Sequence, residues 1–500
     1  MSDANKDKAS SDNNEAEDKN KPIYTVWHGY DVVLTENCHP SEMRQKREST
    51  TPPPTNDSAS NNNTTQRIAV QRSSGKLEDY GWLRQLDLRS DVPTIDEIRD
   101  WKFDVLQFED TVLIQVFIKL LEYYNLLETF NLDRDTLARY ANEVMNMHHK
   151  DCYYQKVDIE QKDEEGDKEK EIENDDNSKS DIILCEYHNW YHAMSCVHTS
   201  FLFLTLGGAD EYLNPIDLFC IIFGALIHDL DHPGTNSDFE VKRSTSLAKL
   251  YDNDAVLERH SINMGLSMCQ KNPELDCLKP FTEKEKEYIA HYVGESVLAT
   301  DPARHGGIVK GALEFVEMGP QNYQQQSSST KGESDSSEAS YFDRSNPQHR
   351  QFIGRLILHS ADISNPVQSS FDVAADWAIR VVTEFTRQAE KEKQLQLPVT
   401  EFMDGLDSKY KISKLQIGFF NFMVKPLFHT IGILFPKLKM LEEWGVKNNL
   451  QYQAVIDEHD LEQKVRESMD IKEGRVFEHY DGDKQVKEVE ESVYHKSSGF

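Results

Sequence analysis

Within seven residues, His228-Asp229-Leu230-Asp231-His232-Pro233-Gly234, the chain places two imidazoles, two carboxylates and a turn. They follow an apolar run, Leu218 to Ile227. If that run is a buried helix that continues through the motif, His228 and His232 share a face with Asp229 beside them. Buried charge of this density is costly unless it is paired or bound to a cation. The stretch therefore reads as half of a metal site. Asp229 has two oxygens with which to bridge two metals, while His228 binds one of them through a ring nitrogen. Zinc accepts this mixture, whereas magnesium prefers oxygen and keeps several waters. Asp231 and His232 read as ligands or as groups that orient metal-bound water, and Pro233-Gly234 ends the helix.

Three further segments carry chemistry of a matching kind. In Tyr187-His188-Asn189-Trp190-Tyr191-His192 the histidines are four apart and share a face if the segment is helical. That spacing suits two ligands, or one ligand and a catalytic group. A single histidine on an apolar face is usually a core residue with a satisfied hydrogen bond, but two such pairs close in sequence bring the metal reading level with it. Leu358 to Pro366 sets Asp362 ahead of Ser-Asn-Pro; taken alone, a capping Asp before a turn is the better reading. In Lys414 to Phe420, Gln416 is a polar group on an otherwise apolar helix. Its amide donates and accepts, as a purine edge requires, and Phe419 on the same face offers a ring for stacking. On that segment alone a surface Gln beside a core Phe is the simpler account.

The elements that must position these groups read as helices. Leu113 to Tyr124 and Leu137 to Met145 have apolar residues at three-and-four spacing. Thr282-x-x-Glu285 reads as a capping box opening a helix through about Ala299. Helical patterning returns at Phe352 to Ser360, Ala374 to Glu392, Ile412 to Thr430 and Ile431 to Trp444. Strand-like alternation is scarce, and no internal repeat is visible. The expected organisation is a disordered or linker region over 1–76, one all-α catalytic domain over 78–468, and a charged tail over 472–500. An acidic insertion at 157–181 and a polar loop at 319–347 interrupt the domain, each solvated because such composition cannot offset the entropy of ordering.

Composition narrows the partners. Basic side chains number 55 and acidic ones 87, a net charge of −32, which argues against nucleic acid or an anionic membrane as partner. An anionic substrate then needs local positive charge, and bound divalent cations are the obvious source. The 7 cysteines form no C-x-x-C pair, so neither a disulfide framework nor a zinc knuckle is expected, and a reducing cytosol fits. The polar N-terminus has no apolar signal core, and the apolar run before His228 is far short of a membrane span. A cytoplasmic protein is the expectation.

Taken in order, Tyr-His-Asn-x-x-His-Ala from Tyr187, His-Asp-x-Asp-His-Pro-Gly from His228, His-Ser-Ala-Asp-Ile-Ser-Asn-Pro from His359 and Gln-Ile-Gly-Phe from Gln416 resemble the catalytic domain of animal-type 3′,5′-cyclic nucleotide phosphodiesterases. The likeness runs over roughly 185–440, with a weaker lead-in from about 95. It implies a compact multi-helix all-α domain of the HD superfamily with disordered tails and insertions. It further implies metal-dependent hydrolysis of cAMP or cGMP to the nucleoside 5′-monophosphate, ending a cyclic nucleotide signal. By position, His192, His228, Asp229 and Asp362 would hold a zinc-like ion, and Asp229 would bridge to a second, magnesium or manganese. Asp231, His232, Glu258 and Thr300 would stand behind these or hold the second ion's waters. A hydroxide between the metals would attack phosphorus, and His188 would protonate the O3′ leaving group, oriented by Glu384. Gln416 and Phe419 would hold the purine in a pocket also lined by Tyr187, Asn365, Trp377 and Val381. The partners expected are the cyclic nucleotide and, as an open alternative, a second copy of the chain. Ser195 and Cys196 stand where the family often carries Asp-Val, and Arg259-His260-Ser261 where it carries Asn-His-His. Two alternatives remain: another HD-type metal phosphohydrolase such as a nucleotidase, or a weakly active protein that binds cyclic nucleotide. The stretch Leu397 to Phe419 leans toward cGMP-preferring relatives.

Overall fold

The structure is a computed structural model and describes residues 82–84, 86–148, 152–153, 182–183, 185–322 and 339–472. The expected disordered region 1–76, the acidic insertion 157–181, most of the polar loop (323–338) and the tail beyond 472 lie outside the described residues. The longer helices are α1 Asp110–Tyr123, α2 Arg134–His148, α3 Trp190–Thr205, α4 Pro215–Ile227, α5 Val256–Lys271 and α6 Glu283–Leu298. They continue as α7 His305–Met318, α8 Pro347–Asp362, α9 Phe371–Gln394, α10 Lys409–Phe419, α11 Lys425–Leu434 and α12 Lys439–Lys472. The fold class is all-α. The one strand ladder among the described residues is a two-residue antiparallel pair, Cys152 opposite Ile183 and Tyr153 opposite Ile182.

α4 is the hub of the bundle. Asn214 and Asp217 cap it reciprocally and Pro215 starts it, a combination that satisfies orphan amides and pre-sets the first turn. From Asp217 to Ile227 every residue is buried, as expected of a helix that is apolar all round. It packs against α2, α3, α5, α6 and α8. The Leu358 and Val293 side chains pack over Gly224 at a distance that a Cβ would meet in ordinary van der Waals contact, 3.7 Å and 3.8 Å. The buried Asp217 carboxylate accepts from the Tyr288 hydroxyl and pairs with Arg350 at 2.9 Å, which ties α6 and α8 to the start of α4. The Thr282–Glu285 capping box forms as the sequence predicts.

The α6–α8 contact leaves no room for growth. A Cβ on Gly354 would lie 2.4 Å from Tyr292 Cε1 and 2.6 Å from its hydroxyl oxygen, and that hydroxyl donates to the Arg350 carbonyl at 2.7 Å. Gly354→Ala is expected to cost about 1–3 kcal/mol through overpacking, read as a lowered urea midpoint. An unchanged midpoint would mean that the Tyr292 ring moves freely.

The run expected as one helix over 412–430 begins at Lys409 and reaches Leu434 through a π-helical turn, Phe420–Val424. By length and composition alone, Lys409–Leu434 is apolar enough to cross a membrane. Here Ile412, Phe420, Val424, Leu427 and Ile431 are buried, and the run packs on α12 and α7. Pro436 interrupts the segment expected as a helix from Ile431 to Trp444, so α11 and α12 are separate.

Candidate active site

His192 lies in the first turn of α3, His228 is the C-cap of α4, Asp229 follows it, and Asp362 is the last residue of α8. Packing of these three helices brings four ligand atoms together. His192 Nε2 is 3.3 Å from His228 Nε2, 3.3 Å from Asp229 Oδ2 and 3.0 Å from Asp362 Oδ1. His228 Nε2 is 3.1 Å from the Asp229 oxygen and 3.5 Å from the Asp362 oxygen. Four ligands about 2.0–2.1 Å from a common centre in a tetrahedron would have edges of roughly 3.3 Å, so the spacing suits a divalent ion.

The tautomers agree with that fit. His228 Nδ1 lies 2.9 Å from the Ala225 carbonyl. Donating there leaves the Nε2 lone pair facing the cluster, the usual arrangement for a ligating histidine. His192 Nδ1 has no hydrogen-bond partner, and its Nε2 is the ring atom that faces the cluster. Glu258 Oε2 is also buried without a partner. Burial, reinforced by Asp301, Asp229 and Asp362, pushes the Glu258 carboxyl up to about 8. This excess of negative groups is what a second cation, or water held by one, would relieve.

Two details of the helical reading need correction. α4 stops at Ile227, so His228 and His232 do not share a helix face and Pro233-Gly234 does not end the helix. The chain turns instead through Leu230 N–H to the Ile227 carbonyl and His232 N–H to the Asp229 carbonyl, with Asp231 in the left-handed region at φ 62. The turn places Asp231 Oδ2 2.9 Å from His260 Nε2 on α5. It also stacks the His232 ring on His188 with centroids 4.0 Å apart. Similarly, α3 begins at Trp190 because Asn189 caps it by accepting from the Tyr191 N–H. His188 is therefore outside the helix.

Freed from α3, His188 sits 2.6 Å through Nδ1 from Glu384 Oε2 on α9. The other Glu384 oxygen accepts from the Tyr187 and His188 backbone N–H groups at 2.6 Å and 2.9 Å and from the Cys185 thiol at 3.1 Å. Burial works against both charges. The attraction and hydrogen bond between them prevail, holding the His188 imidazole above its ordinary value and the Glu384 carboxyl down at about 2. Burial and the neighbouring His188 depress His232 to about 3, which keeps it neutral.

The groups expected around a base are placed as follows. Asn365 Nδ2 donates to the Tyr187 hydroxyl at 2.6 Å, and the Tyr187 ring lies 4.5 Å from His192 and 5.8 Å from Trp377. Trp377 is 1% exposed, so it backs the Tyr187 wall. Val381 packs against the small buried cluster of Ile379, Val382, Leu406 and Ile412. Gln416 is buried and Phe419 half-buried, one turn apart on α10. The buried Thr300 donates its hydroxyl to the Val297 carbonyl of its own turn at 2.8 Å. Sequence reasoning missed two partners, His260 of Asp231 and Cys185 of Glu384. Neither pairing has a sequence signal, because each joins residues far apart in the chain.

The all-α bundle and its buried His/Asp cluster define a helical domain with a candidate metal site. The model of the 3′5′-cyclic nucleotide phosphodiesterase family matches residues 187–443, and the chain belongs to this family. It is 25% identical over 364 residues to the 3′,5′-cyclic-nucleotide phosphodiesterase regA of Dictyostelium discoideum, covering 73% of this chain and 39% of the relative. It is 30% identical over 262 residues to the cGMP-specific 3′,5′-cGMP phosphodiesterase 3 of the same organism, covering 52% and 51%. The chain thus spans about half or less of the length of these relatives. Among solved structures, the phosphodiesterase domain of the RhoPDE fusion protein from the choanoflagellate Salpingoeca rosetta superposes with a TM-score of 0.60 at 24% identity. That match covers 73% of this chain and 97% of the other, and it shows the shared fold.

Proposed function

We propose that the chain hydrolyses 3′,5′-cyclic nucleotides to nucleoside 5′-monophosphates in the cytoplasm, with residues 78–468 as the catalytic unit. The observation that carries this reading is the His188–Glu384 pair, 2.6 Å apart, beside a two-histidine, two-carboxylate cluster. A nucleotide-binding protein needs neither, and a general nucleotidase leaves Gln416 and Phe419 without a purpose.

His192, His228, Asp229 and Asp362 would hold a zinc-like ion, and Asp229, with Asp231, His232, Glu258 and Thr300 around it, a magnesium or manganese ion and its waters. Two such cations neutralise the phosphodiester, lower the pKa of the attacking water and fix the displacement geometry. Glu384 fixes the His188 tautomer by accepting from Nδ1, so the proton for O3′ is carried on Nε2. Asp231 is held by His260, and the neutral His232 ring stacks on His188. Gln416 would present its amide to the purine edge while Phe419 stacks on the ring. Tyr187 and Asn365 brace each other at the pocket wall, and Trp377 and Val381 support it from α9.

The test is direct. The purified 500-residue chain supplied with magnesium or manganese is expected to release nucleoside 5′-monophosphate from cAMP or cGMP, to lose the activity on chelation and to regain it on metal addition. Full activity after exhaustive metal removal would refute the mechanism. Parallel rates on the two nucleotides decide the base preference, for which the Leu397 to Phe419 segment favours cGMP. Gln416→Ala is expected to raise KM roughly 5- to 150-fold, the equivalent of about 1–3 kcal/mol for two amide hydrogen bonds. An unchanged KM removes Gln416 from the pocket.

A further inference from the structure

The wall that backs Tyr187 is joined to a part of the chain well outside the residues that the family model matches, 187–443. Arg84 reaches between two buried carboxylates. Its Nη1 pairs with Asp104, and its Nε lies 3.0 Å from Asp376 Oδ2 on α9. Asp376 is fully buried, and its other oxygen accepts from Arg380 Nε, one turn further along α9, at 2.9 Å. The Arg380 guanidinium lies 5.8 Å from the centre of the Trp377 ring, and the Trp377 and Tyr187 rings meet at 5.8 Å. Two residues before Arg84, the Trp82 ring packs edge-on against Phe371 at the start of α9 and Tyr452 of α12, at 6.1 Å and 5.7 Å. Trp377 also borders a cavity shared with Asp104, Ser195 and His198. Close packing therefore does not hold the ring on every side, and the charged bridge supplies a constraint that packing leaves out. A buried bridge of this kind adds little net stability, because desolvation offsets its attraction. What it does is fix where the two carboxylates lie.

We propose that Arg84 is a positioning residue for the substrate pocket. It fixes Asp376 and, through Arg380, the Trp377–Tyr187 wall. The inference rests on the pocket reading given above. Coupling carried through packed and ion-paired side chains changes affinity roughly 2- to 30-fold. The effect belongs to KM rather than kcat. Glu384, two turns beyond Asp376 on α9, is held by the Tyr187 and His188 N–H groups, contacts in which Arg84 has no part.

The experiment compares Arg84→Met and Asp376→Asn with the unsubstituted 500-residue chain, by steady-state kinetics on cAMP and cGMP with magnesium and by amide hydrogen exchange. The expected result in both variants is a KM raised roughly 2- to 30-fold with kcat kept within about twofold. The two substitutions combined should raise KM no further than the larger single effect, because they break one contact. Exchange should quicken about threefold or more over 371–383 and stay unchanged over 384–394. Arg89→Met removes an exposed pairing with Asp91 and Glu97 from the same lead-in, and it should leave KM unchanged. An unchanged KM in folded Arg84→Met overturns the proposal. An equal KM shift in Arg89→Met, or a fall in kcat alone, also overturns it, since either marks a general structural effect. If Arg84→Met does not fold, Asp376→Asn, which keeps the side-chain shape, decides by the same readings. If the unsubstituted chain turns over neither nucleotide, the functional reading fails and exchange decides the placement. Faster exchange at the start of α9 then supports it, and unchanged exchange overturns it.

Discussion

His188→Ala is expected to lower kcat by about 10²–10⁴-fold, the usual contribution of a positioned general acid, while nucleotide binding measured at equilibrium changes little. The separation follows from geometry: Glu384 holds one ring nitrogen at 2.6 Å and leaves the other to carry the proton. An unchanged kcat would reassign the acid. The same pairing sets a pH signature. Because the attraction of Glu384 outweighs burial and raises His188 above its ordinary value, the active protonated form persists to higher pH than for a free imidazole, near about 6.5. Activity should fall as pH rises through that elevated value. Glu384→Gln removes the attracting charge, so the alkaline limb of the kcat profile should move to lower pH; a limb that stays in place would break the link between the two residues. For folding the signs are opposite. Glu384, depressed to about 2, contributes stability that is present above its unfolded pKa, near about 4.3, and is lost as pH falls through about 2. His188 contributes stability that is present below about 6.5 and is lost as pH rises through its elevated folded value.

Asp362→Ala should abolish most turnover and most bound metal together. Its oxygen lies 3.0 Å from His192 Nε2 and 3.5 Å from His228 Nε2, so its loss opens one side of the cluster. Metal-ion stabilisation of a phosphoryl transition state amounts to several kcal/mol, which corresponds to a rate loss of roughly 10³-fold or more. The metal content of the purified variant, measured by elemental analysis, separates this cause from loss of substrate binding. Normal metal content with normal kcat would remove Asp362 from the centre. The melting temperature should not collapse, since the substitution also removes a buried negative charge from a cluster that already crowds Glu258.

What could be read from particular residues, and what could not, follows the range of the forces involved. The apolar run before His228 predicts a buried helix because hydrophobic burial depends on composition and period, and α4 is that helix. The capping box at Thr282 is a contact over three residues, so its chemistry is complete within the sequence. Helix ends were less legible. The spacing of His188 and His192 predicts a shared helix face, yet the Asn189 cap starts α3 two residues after His188 and sends that imidazole to Glu384. His232 likewise falls outside α4, because the chain turns after His228 and Asp231 takes a left-handed conformation.

The ordered motifs determined the family, the helical class and which side chains are candidates for chemistry, since these depend on residue identity and short-range period. The family resemblance pointed to Asp362 and Glu384 as partners of the histidines, but the residues by themselves did not; the packing that brings these groups together is in the tertiary structure. Asp362 reads by itself as a capping residue and becomes a candidate ligand because α8 ends against α3 and α4. Glu384 reaches His188 across nearly two hundred residues, and His260 reaches Asp231 from α5. Long-range contacts of this kind are set by how helices pack, and packing is a property of the whole core rather than of any one segment.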